Sequence, residues 1–123
     1  MKHIFSRLMV VALFVLMACN TALADNDMMV RCIAFYNLEN LFDTIHDEGK
    51  NDYEYLPDGG MKWTKFKYEQ KIQNMAYAIA QLGTDEDPRG AAVVGVSEVE
   101  NIGCLHDLCR ELKEKHNRNY VPI

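Results

Sequence analysis

The chain has 123 residues, 49% of them hydrophobic, and a formal net charge of −5 at pH 7. That length suits a single small domain, and the acidic balance makes the chain a poor general binder of a phosphate backbone, which needs clustered Lys and Arg to release counterions. Any work on phosphate must be done locally, and the obvious local device is a divalent cation held by carboxylates.

The first two dozen residues read as an address. Lys2 and Arg7 supply a basic start, residues 8–18 form an apolar run short for a bilayer span, and Ala22-Leu23-Ala24 fits a small-x-small cleavage site before Asp25. Residues 1–24 are therefore expected to be a signal peptide and residues 25–123 the mature chain, exported to periplasm, outer surface or medium. Losing the two basic residues takes the charge from −5 to −7. A second reading makes Cys19, in Leu16-Met17-Ala18-Cys19, a lipid-modified residue that tethers the domain to a membrane face; Met17 is unusual in that place, which favours soluble export.

The run MVRCIAFY (residues 29–36) carries few charges and predicts a strand largely covered on both faces and ending at Asn37. Residues 43–60 then turn polar, with Pro57 and an Asp58-Gly59-Gly60 turn signal, giving a loop of the length that is usually functional or mobile. Tyr68, Ile72, Met75, Ile79 and Leu82 follow at steps of four, three, four and three, so they share one face of a helix that covers a sheet. Thr64 is its candidate N-cap and Gly83 its candidate stop. After the turn-rich TDEDPRG (residues 84–90), AAVVGV (residues 91–96) predicts a second buried strand. Leu105, Leu108, Cys109 and Leu112 repeat the helical pattern. Residues 113–119 read as a loop, and Tyr120-Val121-Pro122-Ile123 as the opening of a further strand.

Strand, helix, strand suggests neighbours in one sheet, with their relative direction left open. Two strands fall short of a self-sufficient sheet, so the expectation is an incomplete domain. Cys32, Cys104 and Cys109 form no CxxC and no Cys/His pair at zinc spacing, and read as buried small apolar side chains, with a disulfide to Cys32 left open.

Both apolar runs stop at a polar cluster: NLEN (residues 37–40) and SEVEN (residues 97–101). Polar groups just past the ends of buried strands are where open sheets build ligand sites. Glu98 is the foremost candidate. A carboxylate there must face solvent, be fully hydrogen-bonded or ligate a cation, and Mg²⁺ suits a site of one or two carboxylates plus water and phosphate oxygens. Asn37 holds the matching place after the first strand, where an amide can donate to a phosphate oxygen. Glu39, Asn40, Glu100 and Asn101 could orient that pair from behind. His46, among Asp43, Asp47 and Glu48, fits no calcium loop and reads as part of a solvated loop. Trp63, Phe66 and Tyr68 read as core or loop anchors.

FYNLENLFD (residues 35–43), MKWTKFKYEQKIQNMAYAI (residues 61–79) and VVGVSEVEN (residues 93–101) together resemble the N-terminal part of the endonuclease/exonuclease/phosphatase superfamily, most of all exported bacterial members that open with YN-x-EN-LFD. The resemblance implies an α/β fold, the N-terminal part of a four-layer α-β-β-α sandwich with mixed sheets, hydrolysing phosphodiester or phosphomonoester bonds with Mg²⁺ or Mn²⁺. By position, Glu98 matches the family's metal-binding glutamate and Asn37 its first-strand asparagine. Members also use a later Asp-x-Asn pair and a late Asp and His, which have no counterpart in residues 1–123, so this chain is expected to be a fragment with negligible activity alone. The implied partners are a phosphoester substrate, either nucleic acid or a phosphorylated small molecule. The competing expectation is a small exported binding or structural module without catalysis.

Overall fold

A computed structural model describes residues 29–123, and the signal-peptide and Cys19 readings lie outside the described residues. Strand β1 (Cys32–Leu41) is followed by a long loop holding one 3-10 turn at Tyr53–Tyr55, then helix α1 (Lys65–Gln81), strand β2 (Ala91–Val99) and helix α2 (Ile102–His116). Among the described residues no helix is long and apolar enough to cross a membrane.

The two strands pair in parallel, which a connection through α1 permits and a tight hairpin would not. Their register sets Ile33 beside Val93, Phe35 beside Gly95 and Asn37 beside Ser97. Alternation then sends Ala34 and Tyr36, with Val94 and Val96, to one face, and Ile33, Phe35 and Val93 to the other. Both helices lie against the first face, where Leu38, Leu41, Ile72, Met75, Ile79, Cys104, Leu108 and Leu112 form the core. The opposite face stays open among the described residues: Ile33 is 80% exposed, Phe35 69% and Val93 56%. The sheet is thus covered on one side only, which corrects the expectation of cover on both.

α1 begins where the Thr64 hydroxyl accepts from the Lys67 amide, and its buried side chains include Tyr68, Ile72, Met75 and Ile79, as their spacing predicts. It ends as the chain turns through Gly83, at φ 75°, where an added Cβ would lie 2.7 Å from the Cys32 side chain. The return loop is held by Asp87, buried, whose carboxylate accepts from Arg89 and Arg31. The Arg89 guanidinium keeps that carboxyl well below the usual carboxylate range.

α2 starts at Asn101, whose side-chain oxygen accepts from the Cys104 amide at 3.1 Å. It runs on to His116, through most of the stretch expected to be loop, because Lys113, Lys115 and His116 suit the negative end of the helix dipole. Asn117 then takes a left-handed stop. Residues 120–123 carry no regular structure, so the expected strand opening is absent there. Instead the Tyr120 hydroxyl donates to the Ala91 carbonyl.

Within the long loop, Asp52 is buried and accepts from the Asp47 amide at 2.8 Å, an interaction that holds its carboxyl below the usual range. His46 is exposed in the loop, as the sequence suggests, and in addition bonds that same carboxylate and stacks on Tyr53. Trp63 is half-buried and donates to the Phe42 carbonyl at 2.9 Å, so it is the loop anchor that the sequence suggests. Phe66 is not, being 73% exposed.

Candidate active site

Parallel pairing brings the C-terminal ends of β1 and β2 to the same edge of the sheet, so NLEN and SEVEN meet although they are far apart in the chain. After a one-residue shift between Cys32 and Ile33, the ladder is regular from Ile33 and Val93 as far as Asn37 and Ser97 and resumes only at Leu41 and Val99, leaving residues 38–40 opposite Glu98 alone. β1 therefore continues past Asn37, where the sequence predicts its end, and β2 past Val96. The mismatch is absorbed by three left-handed residues, Glu39 at φ 51°, Asn40 at φ 59° and Glu98 at φ 56°. The left-handed region costs the two glutamates about 1–2 kcal/mol each, and Asn40, of a type that tolerates it, less. Leu38 and Leu41, both fully buried, flank the corner on β1 and hold it in place, each side chain contributing about 1.5–3 kcal/mol of burial. Strain of this kind, kept in place by good packing, is characteristic of functional sites.

The corner aims two side chains at each other. The Asn37 Nδ2 donates to Glu98 Oε1 at 2.8 Å, across 61 residues of sequence. Asn37 Oδ1 accepts from the Glu39 amide at 2.7 Å, and that contact fixes the amide: only an oxygen can accept from N–H, so Nδ2 must face the carboxylate. Both side chains are exposed, and Glu98 Oε2 has no hydrogen bond among the described residues.

Glu39 thus acts on Asn37 through its backbone. Asn40 contributes its carbonyl, which together with the Glu39 carbonyl accepts from Lys71 Nζ. Glu100 and Asn101 make their bonds elsewhere. Glu100 accepts from the Asp43 amide at 2.8 Å, and Asn101 donates to the Asp43 carboxylate at 3.1 Å while capping α2. Burial pushes the Glu100 carboxyl up.

A second group of possible metal donors, Asp43, Glu100 and Cys104, lies within 4.8 Å of one another. Its chemistry does not suit a hard cation. Cys104 is fully buried and its sulfur is a soft donor that a hard cation does not favour, while Asp43 already accepts from the Ile45 amide and from Asn101. Hydrogen bonds hold this cluster together and tie the loop after β1 to the start of α2. The exposed Glu98, by contrast, presents a hard oxygen that suits Mg²⁺ or Mn²⁺.

The family model for the endonuclease/exonuclease/phosphatase family matches residues 32–122. The chain belongs to that family. The match takes in both strand ends, so Asn37 and Glu98 lie within the segment shared with the endonuclease/exonuclease/phosphatase family, a family generally dependent on divalent metal. Neither the curated proteins nor the solved structures offer a match to this chain.

Lys71, on the helix between the two strands, is not singled out by the sequence. A local signal existed. Lys71 stands three residues after Tyr68 and four before Met75, at the margin of the buried stripe.

Proposed function

We propose that the Asn37–Glu98 edge is part of the active centre of a divalent-metal-dependent phosphohydrolase. The observation that carries this reading is the 2.8 Å bond from the Asn37 amide to one Glu98 oxygen at adjacent parallel strand ends, with the other oxygen unbonded among the described residues. Glu98 would hold Mg²⁺ or Mn²⁺, and the metal when bound would polarise a phosphoryl oxygen and neutralise developing charge. Asn37 orients the Glu98 carboxylate, and the second hydrogen of its Nδ2 can donate to a phosphate oxygen. Lys71, close enough for Glu98 to act on its charge, adds positive charge near the pair.

The open apolar face of Ile33, Phe35 and Val93 supports a four-layer sandwich, in which a second sheet would cover it. Activating water and protecting the leaving oxygen need further convergent groups beyond one carboxylate and one amide. Residues 29–123 alone are therefore expected to bind metal without turnover. The substrate is a phosphoester, of nucleic acid or of a phosphorylated small molecule, and the protein is exported.

Titration with Mn²⁺, followed by electron paramagnetic resonance, tests the reading. The wild type is expected to bind Mn²⁺ saturably and Glu98→Gln to lose that binding. Equal affinity in the two proteins would refute Glu98 as the ligand.

A further inference from the structure

Helix α1 sends one cation toward the strand ends. Lys71 is partly buried, and its Nζ donates to the Asn40 carbonyl at 3.2 Å and, at closer range, to the Glu39 carbonyl. The same ammonium lies 5.6 Å from the centre of the Trp63 ring, a cation–π contact that further confines it. Fixing a lysine side chain costs about 1.5–2 kcal/mol of rotamer freedom, so such a position persists only where the donors are used.

Successive carbonyls of a strand point in opposite directions and cannot both reach one ammonium. Their relative direction is set by the dihedrals of the second residue, and Asn40, left-handed at φ 59°, brings its carbonyl round toward that of Glu39, so that both reach one ammonium. A cation bonded to both oxygens therefore favours the left-handed Asn40 over an extended one. The selected corner points the Glu39 amide at Asn37 Oδ1, and that bond turns Nδ2 to Glu98.

We propose that Lys71 is a positioning residue of the strand-end site, its ammonium clamping the Glu39 and Asn40 carbonyls so that the Asn37 amide is presented to Glu98. This rests on the reading of Glu98 as the metal ligand and Asn37 as the amide that orients it. Burial holds Lys71 below the ordinary lysine range, while the charges of Glu39 and Glu98 oppose that shift, in keeping with an ammonium enclosed next to the site.

Charge alone and positioning predict opposite results. A cation near Glu98 competes with a bound metal, so if Lys71 acted only through its charge, Lys71→Met would tighten Mn²⁺ binding. The clamp predicts weaker binding, by about tenfold, the scale seen when a group supporting a metal ligand is removed. It also predicts that Lys71→Arg, which keeps the charge and the donors, restores most of the loss.

The experiment measures Mn²⁺ affinity of the whole protein well below its melting temperature, together with the Asn37 side-chain amide resonance in ¹⁵N–¹H spectra recorded without metal. The proposal expects Lys71→Met to weaken Mn²⁺ and shift or broaden the Asn37 amide signal, with both restored in Lys71→Arg. Unchanged or tighter Mn²⁺ binding in Lys71→Met overturns the clamp while leaving the Glu98 reading intact. Wild-type protein that fails to bind Mn²⁺ overturns the metal reading, and the Asn37 signal still decides whether Lys71 sets the amide. A lower melting temperature with neither readout moved marks a purely structural lysine and overturns the proposal. Lys71→Gln, neutral but still a donor, serves if the methionine variant does not fold, with an intermediate loss expected and no change in either readout refuting the clamp.

Discussion

Glu98 allows backbone and side chain to be tested apart, because its left-handed φ of 56° belongs to the main chain while its carboxylate is exposed. An L residue held in that region costs about 1–2 kcal/mol. Glycine escapes the cost but brings about 0.5–1 kcal/mol of extra freedom to the unfolded chain. Glu98→Gly is therefore expected to exceed Glu98→Ala in stability by about 1 kcal/mol, the rough difference between the two effects. In a domain of this size that is a gap of about 4–8 °C in Tm. Calorimetry with and without Mn²⁺ reads both halves of the expectation. The wild type should gain about 2.7 kcal/mol with Mn²⁺ at a hundred times its Kd, and neither variant should gain anything. A glycine variant no more stable than the alanine variant would refute the left-handed corner. A metal-dependent rise in Tm in either variant would refute Glu98 as the ligand, whatever the backbone does.

Three further outcomes are expected. Leu38 is fully buried beside the corner, so Leu38→Ala should lose about 3 kcal/mol in urea denaturation, and a loss below about 1 kcal/mol would show that it does not anchor the strand ends. Cys104 is raised from 9.0 to about 11. Below the lower value both states hold the thiol proton; between the two the unfolded chain releases it and the folded chain does not, so stability falls as pH rises. The wild type should lose stability relative to Cys104→Ala at about 1.4 kcal/mol per pH unit across that window, and parallel pH profiles would contradict a buried thiol. Phe35→Ser, on the open face, should change stability by no more than about 0.5 kcal/mol, while a cost of several times that would mean the ring is buried in solution.

The sequence by itself determined what depends on short-range spacing. Tyr68, Ile72, Met75 and Ile79 declare the buried face of α1 through their period, Thr64 and Gly83 mark its ends through local cap and turn chemistry, and AAVVGV declares a strand by composition. Asn37 and Glu98 could be singled out because polar residues directly after apolar runs are conspicuous in any chain.

Tertiary structure decided everything that joins distant residues. Nothing local says that β1 and β2 run parallel, and only that pairing brings Asn37 within 2.8 Å of Glu98 across 61 residues. Nothing local extends β1 to Leu41 either: left-handed Glu39 and Asn40 carry the composition of a turn, and the strand continues through them because Leu38 and Leu41 find buried places against the helices. Lys71 looks like one more solvated helix lysine until the Glu39 and Asn40 carbonyls arrive beside it. Periodicity reports which side of an element is apolar, whereas hydrogen-bond partners are fixed only when elements pack, since each bond depends on a few ångströms of relative placement that no spacing along the chain encodes.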